Sequence, residues 1–215
     1  MAVPAPAIIG LGARSADLAR RLLPALPGAE WHAPAGTPGA VPFTELAERL
    51  AELFLAGRPI VALMAAGIPI RLLAPHLLDK HTEPPVLAVA EDGSAVVPLL
   101  GGHRGANALA REIAEVLGVP AAVTTASDAR FGLALDRPPP GWTLADPAYF
   151  APFVQRLLEG ASVRLVVEAG DAVWLRAAEL PLVEDAALEI RLTHRAISST
   201  PSNVAGSGAP TRRTW

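Results

Sequence analysis

Between residues 97 and 128 the chain reads VPLLGGHRGANALAREIAEVLGVPAAVTTASD: an apolar strand, a glycine turn around His103 and Arg104, an amphipathic helix, and an apolar run ending in hydroxyls. A strand that passes through glycines into a helix and returns as another strand buries its faces in a layered α/β structure. Gly101, Gly102 and Gly105 leave the backbone open to close approach, and residues 106–117 have the pattern of a helix beginning there. A helix start carries amides without partners inside the helix, and it favours anions.

The same alternation runs through the earlier part of the chain. Residues 7–10 form a β-like apolar run, and 15–26 place Leu18, Leu22 and Leu23 at helical spacing behind Ser15, which suits an N-cap. Residues 29–32 suit a short second strand, and Thr44 then caps a helix over 45–56 with Leu46, Leu50, Leu53 and Phe54 as its apolar stripe. The continuous apolar run 59–64 fits a strand covered on both faces, and 67–78 reads as a helix reached through a glycine turn. Residues 86–90 and 95–100 flank Glu91-Asp92-Gly93-Ser94, where Asp-Gly supplies the positive φ angles of a tight hairpin. After the helix at 106–117, residues 121–124 read as a further strand. The prediction is an α/β domain over 1–136, built on a mostly parallel Rossmann-like sheet with a hairpin. Ligands of such sheets settle at the carboxyl ends of the strands, so the loops after Met64, Leu100 and Val123 are expected to share one ligand-binding edge.

Arg137-Pro138-Pro139-Pro140-Gly141 can continue neither a helix nor a central strand and marks a boundary. Beyond it, 147–158 reads as a helix, and 163–167 and 172–175 as a hairpin around Ala169-Gly170-Asp171. These make a small α/β central region over 141–195. From Ser198 onward Ser, Thr, Pro and Gly dominate, the composition of a disordered tail, set at 196–215.

Composition narrows the function classes. With 51% hydrophobic residues in 215, the chain can fill a sizeable core. A net charge of −3 without a basic patch argues against nucleic acid, which needs concentrated cations to displace counterions. Zero cysteines rule out disulfides and thiolate metal sites and fit a cytoplasmic protein. The start MAVPAPAIIGLG lacks the cationic head and long apolar middle of a secretory signal. The apolar stretch 60–78 is broken by Gly67, Pro69, Arg71, Pro75 and His76, so no membrane span is expected.

Gly10-Leu11-Gly12-Ala13-Arg14-Ser15 approaches a dinucleotide-binding fingerprint, but Ser15 stands where the third glycine belongs, and a structural turn is the better reading. Glu30 lies near the distance of a ribose-binding acid yet opens the second strand rather than closing it. His76 and His81, five residues apart, do not align as the i, i+4 pair of a zinc helix, and no metal site of the protein's own is expected. Neither a Gly-x-Ser-x-Gly elbow nor a phosphate loop is present. Around His103 several functional groups converge. A neutral imidazole accepts a proton near pH 7, Arg104 can grip a carboxylate, and Asn107 offers both donor and acceptor. Those groups suit a polycarboxylate ligand; equally, the glycines can serve only a sharp turn that His103 braces. Thr124, Thr125, Ser127 and Asp128 can either cap the next segment or hydrogen-bond a ligand.

Four motifs, in order and spacing, resemble the CbiG family of cobalamin biosynthesis: Gly67-Ile68-Pro69-Ile70-Arg71-Leu72-Leu73-Ala74-Pro75, then Asp79-Lys80, then the run from Val97 through Gly101-Gly102-His103-Arg104-Gly105-Ala106-Asn107, then Thr124-Thr125-Ala126-Ser127-Asp128. The resemblance covers residues 5–180, more weakly after the proline boundary. It implies cobalt-precorrin-5A hydrolase activity: opening of a corrinoid δ-lactone by water, with a two-carbon fragment released as acetaldehyde. No cofactor is implied, because cobalt arrives within the precorrin or cobalt-precorrin substrate. The implied substrate-binding residues are Gly67, Arg71, Gly101, Gly102, Arg104, Gly105, Asn107, Thr124, Thr125 and Asp128, with His103 the candidate catalytic base or acid.

The commoner family form reads Ser-Gly-His-x-Gly-Gly-Ala-Asn. Here Gly101 replaces the serine and one glycine is missing before Ala106, so the loop is shorter. The family's usual C-terminal domain is not recognised in this chain. The Gly-Gly-His-Arg-Gly-Ala-Asn form also resembles versions associated with precorrin-3B C17-methyltransferase. A noncatalytic corrinoid-binding or partner module of that methyltransferase is therefore the alternative, and a separate C-terminal-domain protein is a second candidate partner.

Overall fold

The computed structural model describes residues 4–80, 82–133, 135, 138–139, 141–145 and 147–194. The chain forms two compact units, residues 1–123 and 124–215.

In the first unit, chain order gives β1 (Ala7–Gly10), α1 (Ala13–Leu22), β2 (Glu30–Pro34), β3 (Val41–Phe43), α2 (Leu46–Leu55), β4 (Ile60–Leu63), α3 (Gly67–Leu73), β5 (Val86–Val89), β6 (Val96–Leu100) and α4 (Ala106–Leu117). The strands form one six-stranded sheet in the order β3-β2-β1-β4-β5-β6. Its first five strands are parallel, and β6 alone runs antiparallel, against β5. This is the predicted mostly parallel α/β sheet with a hairpin.

Alternation along each strand divides the core between the two faces of the sheet. Ile8, Val61, Leu63, Leu87 and Val89 join Leu18 and Leu22 of α1 and Ile113 of α4 on one face. Ala7, Ile9, Ile60, Ala62 and Val86 join Leu50 and Phe54 of α2 and Leu73 of α3 on the other. Helices on both faces explain why all four residues of β1, β4 and β5 are buried. Each fully buried Leu or Ile contributes about 1.5–3 kcal/mol over leaving it in water.

Several boundaries differ from expectation. Helix α1 starts at Ala13, so Ser15 is its third residue rather than its cap, and the chain tightens into a 3-10 turn at Leu23–Ala25, where Pro24 supplies no amide. Helix α2 starts at Leu46, with Glu45 rather than Thr44 in the flanking position and no side-chain cap. Helix α3 stops at Leu73, and a 3-10 turn at Ala74–His76 follows because Pro75 has no N–H to continue the ladder. Strand β3 went unpredicted: three residues containing Pro42 give almost no periodic signal, and proline is tolerated at a sheet edge. The strand expected at 121–124 is absent, reduced to one parallel bridge between Ala121 and Val96.

The second unit holds α5 (Ala126–Phe131), α6 (Pro147–Leu158), β7 (Val163–Val167), α7 (Val173–Arg176) and β8 (Leu188–Leu192) around Phe131, Leu157, Val163, Leu175 and Ile190. The hairpin expected from 163–167 and 172–175 is not formed. Residues 173–176 are helical, and β7 pairs instead in parallel with β8. In a strand Val173 and Leu175 would share a face, but Val173 is 70% exposed and Leu175 only 1%. In the proline-rich stretch, Pro138 and Pro139 have no regular structure and Gly141 has φ 92°; Arg137 and Pro140 lie outside the described residues. The expected tail at 196–215 also lies outside them.

Candidate functional site

Backbone hydrogen bonds close the glycine turn after β6. Gly101 adopts φ 70°, and its carbonyl accepts the amides of Arg104 at 2.9 Å and Ala106 at 3.0 Å. One 3-10 turn, Gly102–Arg104, fits between, and Gly105 at φ 116° redirects the chain into α4. Only glycine tolerates both conformations cheaply. A Cβ on Gly101 would also lie 2.7 Å from the Pro84 carbonyl oxygen and 2.8 Å from the Pro85 nitrogen. The turn is thus wedged against the chain just before β5. Arg104 is exposed and Asn107 is buried, while the His103 side chain lies outside the described residues.

Strand direction decides which edge of the sheet this turn occupies. Leu100 pairs with Val86, the first residue of β5, and Val86 pairs with Ile60, the first residue of β4. The turn therefore opens at the amino edge of the parallel strands. Gly67 begins α3 after β4 has ended at Leu63, which puts it at the carboxyl edge. The expectation that the loops after Met64 and Leu100 share one edge is overturned; a strand length of about 10–13 Å separates them.

At the carboxyl edge Gly67 and Arg71 form a pair of their own. Arg71 Nη1 donates to the Gly67 carbonyl at 3.1 Å, and a Cβ on Gly67 would stand 2.6 Å from that nitrogen. The glycine lets the guanidinium fold back over its helix start. Asp79 and Lys80 are exposed, and the Asp79 carbonyl accepts the Thr82 amide and hydroxyl, both at 3.0 Å, in the turn that returns the chain toward Pro84.

In the second unit Thr125 immediately precedes α5, and its hydroxyl donates to Asp128 Oδ2 at 2.8 Å. Asp128 is buried at 7% exposure. The bond joins two side chains across the first turn of α5, and among the described residues no side chain caps the helix start with a hydrogen bond to its amides. Thr124 is exposed beside them.

The first glycine loop is structural. Ser15 Oγ donates to the Gly12 carbonyl at 2.7 Å and accepts the Gly12 amide at 2.9 Å, so the loop closes on its own side chain. A Cβ on Gly10 would meet Ser15 Oγ at 2.7 Å and Trp31 at 2.9 Å. Glu30 opens β2 at the amino edge and pairs with Arg58, whose hydrogen bond and charge hold its carboxyl below the usual range. It is therefore far from where a ribose-binding acid would stand.

Sequence reasoning passed over His32, a strand residue at 2% exposure. Neither ring nitrogen has a hydrogen-bond partner among the described residues, and Glu30 Oε2 is 3.8 Å away. Burial pushes its pKa down, and the charges of Arg58 and Arg49 push the same way against Glu30. No local pattern marks such a residue, because its burial follows from β2 lying between β1 and β3. Among the described residues no three His, Cys, Asp or Glu side chains are placed to share a metal ion. No described helix is long and apolar enough to cross a membrane.

One known family profile matches the segment that carries this turn. The family profile described as Cobalamin synthesis G N-terminal matches residues 48–128. A cobalt-precorrin-5A hydrolase of Priestia megaterium is 30% identical over 128 residues, covering 58% of this chain and 34% of that protein. A cobalt-precorrin-5A hydrolase of Salmonella typhimurium is 39% identical over 100 residues, covering 46% of this chain and 28% of that protein. The chain thus spans about a third of the length of the curated relatives it matches. A solved structure of a putative cobalamin biosynthesis protein G homolog from Sulfolobus solfataricus aligns with a TM-score of 0.45 at 16% identity, over 91% of this chain and 57% of that one. The matched segment contains Gly67, Arg71 and the whole glycine turn from Gly101 to Asn107, and over it the chain is similar to the N-terminal region of the cobalamin synthesis G family.

Proposed function

We propose that this chain acts in cobalamin biosynthesis as a cobalt-precorrin-5A hydrolase. The observation that carries the reading is the glycine turn at the start of α4, lying inside the family match and inside a fold whose amino edge it shapes. Water adds to the lactone carbonyl carbon and the acyl–oxygen bond breaks, leaving a carboxylate and a two-carbon arm bearing a hydroxyl. When that hydroxyl loses its proton, the bond from the arm to the ring breaks. The arm departs as acetaldehyde, and the ring carbon keeps the electron pair and takes up a proton.

The substrate is a polycarboxylate. Arg104, exposed beside the turn, suits a peripheral acetate or propionate, and Gly101 and Gly105 keep side-chain bulk from the approach. His103, in the middle of the turn, is the residue to move the proton of water or of the departing oxygen. Cobalt belongs to the substrate.

The test is incubation of the whole protein with cobalt-precorrin-5A and an enzymatic assay for acetaldehyde. Release that depends on the protein, and is lost in a His103→Ala variant with an unchanged melting temperature, supports the reading. Near-normal release by that variant removes His103 from the chemistry. Binding of the lactone without release turns the reading to the noncatalytic corrinoid-binding module.

A further inference from the structure

The second unit contains a cavity of about 680 Å³ that the glycine turn does not touch. It lies where β7 and β8 end, walled by the Ala169–Gly170 turn after β7 and by Leu192, Thr193 and His194 of β8 and its extension. Parallel strands commonly bind ligands at this end, and the volume falls within the range of about 300–1,000 Å³ typical of small-molecule sites.

Two indoles, Trp142 and Trp174, line it. Trp142 is seated by a glycine: Gly170 has φ 65°, and a Cβ there would lie 2.5 Å from the Trp142 ring. The backbone passes directly against the indole, so the ring's place is determined by the fold. Trp174 Nε1 is buried without a hydrogen-bond partner among the described residues.

Charge narrows the occupant. Arg191 also lines the cavity, but its guanidinium is bound to both Glu189 and Glu168, and Arg164 completes the cluster on Glu189. Two guanidiniums face two carboxylates, so this wall has no net charge with which to draw an anion. What it presents is aromatic surface. We infer that the cavity binds the flat conjugated ring of a tetrapyrrole, edge inward between the indoles, leaving the carboxylate arms in water. Choosing a tetrapyrrole among conjugated rings rests on the proposed function; the aromatic cavity does not.

The probe is metal-free uroporphyrin, flat on both faces, titrated calorimetrically into the full chain. Trp142→Leu, which keeps apolar bulk without the ring, should weaken binding about tenfold or more, and Gly170→Ala should weaken it by displacing Trp142. Exposed Arg20→Ala should change nothing. Equal affinity in wild type and a folded Trp142→Leu overturns the inference. Where a variant does not fold, oxidative footprinting of the wild type decides: uroporphyrin should protect Trp142 and Trp174 but not Trp31, and no protection overturns it. Tryptophan-dependent binding without acetaldehyde release from cobalt-precorrin-5A leaves this site standing and removes the hydrolase reading. Release with tryptophan-independent binding does the reverse.

Discussion

Gly101 lies so close to Pro84 that a Cβ on it would stand 2.7 Å from the Pro84 carbonyl oxygen. That contact ties the glycine turn to the segment feeding β5. The chain reverses at Gly101 in a left-handed conformation with backbone on its open side.

Gly101→Ala should therefore be costly. The left-handed conformation alone costs an ordinary residue about 1–2 kcal/mol, and the clash is with backbone that cannot rotate away. For a chain this long, thermal melting should fall by about 4 °C or more. Gly12→Ala is the control: φ is −137° with nothing within 4 Å of its Cβ, so its melting temperature should barely move.

Ser15→Ala should destabilise the first unit by about 1–3 kcal/mol in urea denaturation, because it removes both bonds to Gly12 and leaves polar backbone without its partner. A nucleotide-binding role for this loop would predict the opposite emphasis, a binding defect with little change in stability.

His32 should make the first unit sensitive to mild acid. Its folded pKa lies below the ordinary 6.5, so below that value the unfolded chain binds the proton more readily. Stability is level at neutral pH and falls as pH drops below about 6.5, toward the folded pKa. Glu30 is also shifted downward, which puts its own loss at more acidic pH. Between pH 7 and 5 the wild type should lose denaturant stability that a His32→Leu variant keeps. Parallel pH profiles would remove His32 as the cause.

Glu189→Gln should loosen the second unit. Burial pushes the Glu189 carboxyl up, but hydrogen bonds and charge from Arg164 and Arg191 together carry it below its usual range. The stability it provides is present above pH 4.5 and is lost as pH falls through the lowered value. Neutralising it leaves two guanidiniums side by side, at a cost of about 2–4 kcal/mol, since both remain partly exposed. Glu168→Gln, at 25% side-chain exposure, should cost less in the same melt.

Much of the fold was legible in short stretches. Residues 7–10 read as a β-like apolar run and 59–64 as a strand covered on both faces, and the strands at Ala7–Gly10 and Ile60–Leu63 are buried throughout. Asp92-Gly93 announced the hairpin, and Gly93 adopts φ 74°. The helix at Ala106–Leu117 was read to the residue. Where runs were short the signal failed: Val173-Trp174-Leu175 suits a strand or one helical turn equally, and Val41-Pro42-Phe43 suits nothing in particular. The glycines of the candidate site were equally visible, while the edge they occupy was not.

The sequence by itself determined the elements, the turns and the glycines, because helical period, hairpin chemistry and positive φ depend on residues only a few positions apart. Tertiary structure decided how they assemble. Pairing Ile60 with Val86 in parallel and Val86 with Leu100 in antiparallel joins residues far apart in the chain, and it turns the Gly101 loop to the amino edge while Gly67 stays at the carboxyl edge. Pairing β7 with β8 across an intervening helix likewise creates the carboxyl end where the aromatic cavity forms. Those choices are made by burying both faces of a strand at once, a requirement that no local stretch of sequence expresses.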